Sequence, residues 1–265
     1  MQEGDASPAD VFLTENSPAM SLVDNAGLFT KVDQETLDLI PPDYVPTDHN
    51  WIGFMGRSTV AMYNKDALRE DEMPDSILDF ADPEWAGRIS YSPTGADFQA
   101  IVSAVLELKG EQATREWLEG LADNGTEYTG NDVVMESVNS GEVDAGIAYH
   151  YYWYRDQKES GDHSDNTELH WFDGQDPGAF VSVSGAGVLA SSDKQTNAQK
   201  FVDFLASTKG QQAIADSYAL EYPLNPEVSL DPSVKPFAEL EPPRVDVASL
   251  NSESVTELMQ EEGLL

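Results

Sequence analysis

The sequence has no cysteine. Disulfides, thiolate metal sites and cysteine nucleophiles are therefore excluded, while the absence says little about compartment. Basic residues are scarce, with 14 Lys and Arg against 49 Asp and Glu, for a formal net charge of −35. A chain this acidic is unsuited to nucleic-acid backbones or anionic membrane surfaces. The carboxylates are dispersed and apolar periodicity persists among them, so the composition reads as a folded halophilic protein kept soluble in concentrated salt, not as an acidic disordered tail. No apolar run reaches the roughly 18 residues of a membrane-spanning helix. Met1-Gln2-Glu3-Gly4 does not read as a signal peptide. Internal repeats and low-complexity segments are absent. A length of 265 residues allows two compact lobes.

What the chain does have is tyrosine in one place. Of ten tyrosines, four (Tyr149, Tyr151, Tyr152 and Tyr154) fall within six residues. The run follows a predicted helix with Val133, Val134 and Val138 on one face, a stop at Asn139-Ser140-Gly141, and a short strand over Ala145–Tyr149. Side chains alternate along a strand, so Tyr151 and Tyr152 can converge only where the strand ends and the chain turns. Binding residues of open α/β sheets collect at such ends. Phenols ionise near pH 10 and become phenolates at neutral pH only beside a strongly polarising cation. Paired phenolates with carboxylates form a hard all-oxygen site suited to Fe(III). The alternative is an aromatic run that packs a surface or stacks on a sugar.

Strands and helices alternate throughout, which indicates α/β layering. Ser7 to Glu15 reads as a turn and a short strand. Glu15 then either faces a cleft or caps the helix that opens at Pro18. Two extended segments punctuated by glycine, Trp51 to Tyr63 and Ala179 to Leu189, supply what a two-stranded hinge requires. Ser92 to Asp97 is a small-residue loop opening a helix with Phe98, Ile101, Val102, Val105 and Leu108 on one face. Such a helix start can cradle an anion, but Asp97 already carries a negative charge there and reads as a cap. A second helix covers Ala113–Ala122, and another, Asn197–Ser207, is expected to bury Phe201, Val202 and Leu205. The acidic C-terminal segment ends in a short helix with Val255, Leu258 and Met259 on one face. His49, His163 and His170 read as solvated in or near surface loops, and His150 sits among the aromatics.

Ser7-Pro8-Ala9-Asp10-Val11-Phe12 with Glu15, Gly56-Arg57-Ser58, Trp85 to Tyr91, Tyr151-Tyr152-Trp153, Asp176-Pro177-Gly178-Ala179, Ser184-Gly185-Ala186 and Glu221 to Pro226 occur in an order that resembles the periplasmic ferric-ion-binding proteins of iron ABC transporters. The resemblance spans almost the whole chain. It implies a two-lobed type II periplasmic-binding-protein α/β fold with two hinge strands, one lobe over 1–57 and 183–232 and the other over 58–182 and 233–265. It also implies that the usual first strand–helix–strand unit is missing, so that the chain is N-terminally shortened.

Carried over residue by residue, the resemblance gives Tyr151 and Tyr152 as phenolate ligands of Fe(III), Glu15 as the carboxylate ligand and Asn16 as its polar neighbour. In the family it resembles, some members complete the shell with phosphate or carbonate at a Ser-Gly-Ala loop, which here reads Gly95-Ala96-Asp97. Tyr149 stands where the family has an anion-contacting Asn, and Ala219-Leu220 replaces a basic residue. Asp97 or Tyr149 is thus a candidate to supply oxygen in place of the anion. The implied protein is no enzyme. It is an extracytoplasmic monomer, lipid-anchored at full length, that closes its lobes on Fe(III) and delivers the ion to a membrane permease. One rival keeps the fold and binds thiamine, a polyamine or an oxyanion, with Tyr149, Trp153 and Tyr154 stacking on the ligand. A carboxylate-based hydrolase is the rival from another class.

Overall fold

The structure is a computed structural model that describes residues 6–250 and 252–265. The Met1-Gln2-Glu3-Gly4 reading lies outside them. In chain order the elements are β1 (Val11–Thr14), α1 (Ser17–Asn25), α2 (Gln34–Leu37), β2 (Trp51–Asn64), β3 (Ile89–Tyr91), α3 (Ala96–Lys109), α4 (Glu111–Asn124), β4 (Thr126–Glu127) and α5 (Asn131–Asn139). They continue with β5 (Ala145–Tyr149), α6 (His150–Glu159), β6 (Thr167–His170), β7 (Val181–Val188), α7 (Gln195–Ala206), α8 (Thr208–Ala215), β8 (Tyr222–Pro223) and α9 (Ser252–Glu261). Among the described residues no helix is long and apolar enough to cross a membrane.

The chain divides into two compact units. Unit 1 comprises Met1–Gly56, Ser182–Phe237 and Arg244–Ser252; unit 2 comprises Arg57–Val181, Ala238–Pro243 and Glu253–Leu265. The divisions at Gly56/Arg57 and Val181/Ser182 fall inside β2 and β7. The C-terminal stretch departs from the expected division, because Arg244–Ser252 belongs to unit 1. Val247 and Leu250 are buried there, and the Ser21 hydroxyl donates to the Val247 carbonyl at 2.9 Å.

In unit 1, β1 runs antiparallel to β7, with Val11 opposite Val188 and Thr14 opposite Gly185. The start of β2 pairs with β8, Met55 opposite Pro223. Helix α1 starts at Asn16, whose side-chain oxygen accepts from the Ala19 N–H at 3.0 Å, with Pro18 in the first turn.

In unit 2, the second half of β2 lies antiparallel to β5 and to β6, and β3 runs parallel to both β5 and β4. The core joins Ile89, Ile101, Trp117, Leu118, Leu121 and Ile147 to Val255, Leu258 and Met259 of α9. Arg115 holds the end of that segment by pairing with Glu261 and Glu262 at 2.8 and 2.6 Å. Gly146 is needed in β5: a Cβ there would lie 2.6 Å from Val134 and 2.8 Å from the Ser90 hydroxyl, so its absence lets α5 pack directly on the strand.

Periodicity misled at two helix faces. Val133 is 41% exposed, since Val134, Met135 and Val138 form the buried side of α5. Phe201 is 43% exposed, because α7 turns Ala198, Val202 and Ala206 inward. His170 is not solvated in a loop. It ends β6, where its ring bridges Glu70 and the Pro74 carbonyl at 2.9 and 3.1 Å.

A folded chain of charge −35 repels itself, and salt screens that repulsion over a Debye length of about 10 Å at 0.1 M and about 3 Å at 1 M. The thermal midpoint should therefore climb with sodium chloride from about 0.1 M to above about 1 M. A scan that is flat or falling would show that repulsion does not limit stability.

Candidate metal centre

Strands β3, β5 and β4 run parallel, and each leads into a helix: α3 after β3, α6 after β5 and α5 after β4. Helix starts carry unpaired N–H groups and the positive end of the dipole, so three of them at the carboxyl ends of neighbouring strands favour negative charge. The side chains delivered there suit that field. Asp97 lies in the first turn of α3, Asn131 opens α5, and Tyr151 and Tyr152 lie in the first turn of α6.

These side chains meet on one oxygen. Asp97 Oδ2 accepts from the Tyr151 hydroxyl at 3.3 Å, from the Tyr152 hydroxyl at 3.1 Å and from Asn131 Nδ2 at 2.9 Å. The other oxygen, Oδ1, faces Arg57 Nη1 at 3.4 Å. Arg57 is 1% exposed and Asp97 7%, so this is a buried charge pair, tolerable because the carboxylate is also hydrogen-bonded. Residues adjacent on a helix point about 100° apart, yet the Tyr151 and Tyr152 rings stack with centroids 4.3 Å apart and planes at 28°. The start of α6 thus brings the two phenols together just past the end of β5.

Burial raises the Tyr151 phenol well above its ordinary range, and the charge on Asp97 and the neighbouring Tyr152 raise it further, while Arg57 opposes them. Burial, then Asp97, raises Tyr152 as well, against hydrogen bonds from Asn131 and Tyr151 that lower it. Both phenols are protonated at neutral pH, and only a strong positive charge at their oxygens reverses that. Among the described residues no group of three or more His, Cys, Asp or Glu could hold a metal ion.

The remaining sequence candidates fall in different places. Tyr149 is fully buried, its hydroxyl donates to the Asp97 carbonyl at 3.3 Å, and Arg57 lies 5.6 Å from its ring centre. Gly95 caps α3 and Ala96 begins it. Asp97 does not cap the helix, contrary to the local reading, because its carboxylate is directed to Arg57, Asn131 and the two phenols. Glu15 is exposed at the end of β1, and Asn16, not Glu15, caps α1; both belong to unit 1. His150 is buried and accepts the Ser58 N–H at its Nδ1 at 3.2 Å, an inward-facing structural contact.

Sequence reasoning missed Arg57 and Asn131 as parts of this constellation. Arg57 carried a signal: a scarce basic residue in an apolar strand must be buried and so needs a buried counterion. Asn131 carried none.

Comparisons with known proteins identify the family and the fold. The model of the family described as bacterial extracellular solute-binding protein matches residues 6–247. The Fe(3+)-binding periplasmic protein of Serratia marcescens is 52% identical over 265 residues, all of this chain and 78% of the relative. The major ferric iron-binding protein of Neisseria meningitidis serogroup B is 39% identical over 99% of this chain and 80% of its own length. Among solved structures, iron-bound HitA from Pseudomonas aeruginosa superimposes with a TM-score of 0.91 at 42% identity, covering 99% of this chain and 85% of that one.

The raised Tyr151 phenol fixes the sign of an alkaline effect. In the unfolded chain tyrosine ionises near pH ~10. The folded site prefers the neutral phenol, so its contribution to stability is intact below that pH and is lost as pH rises beyond it. In urea unfolding above about pH 10, Tyr151→Phe should remove up to about 1.4 kcal/mol per pH unit from the slope of stability against pH. A slope identical to wild type would mean that Tyr151 is not held neutral by the fold.

Proposed function

We propose that this chain, which belongs to the bacterial extracellular solute-binding protein family, captures Fe(III) outside the cytoplasm as a monomer and hands it to the permease of an ABC importer. The family is one of solute binders, not of enzymes. The observation that carries the reading is the meeting of the Tyr151 and Tyr152 hydroxyls on Asp97 Oδ2 at 3.3 and 3.1 Å. Replacing the two phenolic protons by one trivalent ion turns this hydrogen-bonded cluster into a ligand set of two phenolates and a carboxylate. Such hard oxygen donors suit Fe(III) and disfavour thiophilic metals.

In this reading Glu15 of unit 1 adds a second carboxylate when the lobes close about the Gly56/Arg57 and Val181/Ser182 divisions of β2 and β7. The ion favours the closed state because only that state gives it ligands from both units. Asn16 is left out of the shell, since its side-chain oxygen already caps α1. Asp97 takes the part of the exogenous anion. With it, the three charges of the ion and the buried Arg57 balance two phenolates, Asp97 and Glu15. Phosphate or carbonate would add uncompensated negative charge at a position that a carboxylate already fills. Ligand stacking by Tyr149, which a thiamine or polyamine carrier would use, is opposed by its complete burial.

Ferric citrate titrated into the protein should raise a visible phenolate-to-iron charge-transfer band that saturates at one ion per chain, and Tyr151→Phe and Tyr152→Phe should each weaken it. A colourless titration would refute the proposal. Two protons leave per ion bound, so apparent affinity in citrate competition should fall by up to about a hundredfold for each pH unit of acidification.

Iron should also bind in buffer stripped of phosphate and carbonate. Asp97→Ala should make binding depend on added anion. If that variant binds as tightly as wild type without anion, Asp97 is not the built-in substitute.

A further inference from the structure

The two tyrosines that meet at Asp97 are not equivalent. Tyr151 is the more buried of the pair, and the Arg155 guanidinium lies over its ring, 4.3 Å from the centroid. Arg155 follows Tyr151 by four residues on α6, the spacing that puts two side chains one above the other on a helix face. The other guanidinium groups over aromatic rings among the described residues are Arg57 over Tyr149 and Arg88 over Trp85. None lies over Tyr152, whose hydroxyl instead shares the Asp97 oxygen with Asn131.

We propose that Arg155 is a positioning residue for Tyr151, and that its guanidinium makes the two phenolates unequal donors to the bound ion. The inference rests on reading the site as an Fe(III) site. A cation over an aromatic face is attracted by the π-electrons, and the attraction grows when the ring becomes a phenolate and carries more charge. It lowers the energy of the filled ring orbital that donates to the metal. Tyr151 therefore donates less strongly than Tyr152, and moving an electron from its ring to the iron takes more energy. The planar guanidinium suits this task better than an ammonium, because it lies flat on the ring and is weakly hydrated. A helix spacing fixes the contact, so the asymmetry is a property of unit 2 and is present before the ion arrives.

The test uses the whole chain loaded with ferric citrate. Arg155→Met should move the visible charge-transfer band to longer wavelength, because the Tyr151 orbital is no longer stabilised. Arg155→Lys, which keeps the charge and loses the flat stacking, should move it less; if the Met variant does not fold, the Lys shift alone decides the sign. The same Arg155→Met change made in a Tyr151→Phe background should leave the band of the remaining Tyr152 complex where it was. Resonance Raman gives a second readout: two distinct phenolate C–O stretches in wild type, drawing together in Arg155→Met. An unmoved band, or an equal shift with and without Tyr151, overturns the role of Arg155 and leaves the iron site standing. A wild-type protein that gives no coloured complex overturns both.

Discussion

A single carboxylate oxygen organises unit 2. Asp97 Oδ2 receives two phenols and an amide while Oδ1 faces a buried guanidinium. Any of these groups alone would be costly to bury. Together they satisfy one another, and each arrives from a different element: Arg57 from β2, Asp97 from α3, Asn131 from α5 and the tyrosines from α6. The sheet order makes the meeting unavoidable, because β3 has β5 on one side and β4 on the other, so three helix starts open side by side. The close packing of α5 on β5 at Gly146 fixes the distance between two of them. Fold and site are in this sense one constraint, since the polar cluster forms only if the parallel register is right.

The same cluster would let the proposed site for a trivalent ion exist before the ion is present. Two bare phenolates beside a carboxylate would repel one another. Protonated, the two phenols become donors to that carboxylate, and their oxygens are already gathered within hydrogen-bond reach of one point. Little reorganisation is needed when a metal takes the place of the protons, which keeps the ordering cost of binding small.

How much of this the sequence disclosed depended on how local the signal was. The strand Ala145–Tyr149 and the break after it were legible, because a short apolar run follows a helix stop and ends at an aromatic run, and adjacent tyrosines can share a site only at such a break. The face of α9 formed by Val255, Leu258 and Met259 followed from helical spacing. The local pattern misread Asp97 as a cap for a physical reason: an acid in a helix's first turn is usually explained by the helix itself, and its candidacy as an oxygen donor came from the family resemblance, while its meeting with Arg57 and Tyr152 is tertiary. Val133 and Phe201 failed differently. Each stands next to a buried residue in an apolar run, and a run shows that a face exists without showing which neighbour is turned outward. The assignment of Arg244–Ser252 to unit 1 had no sequence signal, because a returning segment is placed by whatever it packs on, here the hydroxyl of Ser21.

The acidity of the chain and the charge of its proposed cargo invite a simple link, that a negative protein attracts a positive ion. The length scales argue against it. In concentrated salt the field of a surface carboxylate fades within about 3 Å, so 49 acidic residues do little for an ion that is not already in contact. Capture then has to come from atoms that touch the ion, in a pocket where water and salt are excluded and electrostatic interactions are strong. The unit 2 cluster meets that requirement: Asp97 and Tyr151 are almost wholly buried, and Arg57 keeps the local charge from running to excess before loading. Surface acidity and the proposed tyrosine site are thus physically separate features, one acting over a screened distance and the other by direct contact. A neutral-surfaced protein could carry the same five side chains and bind by the same contacts.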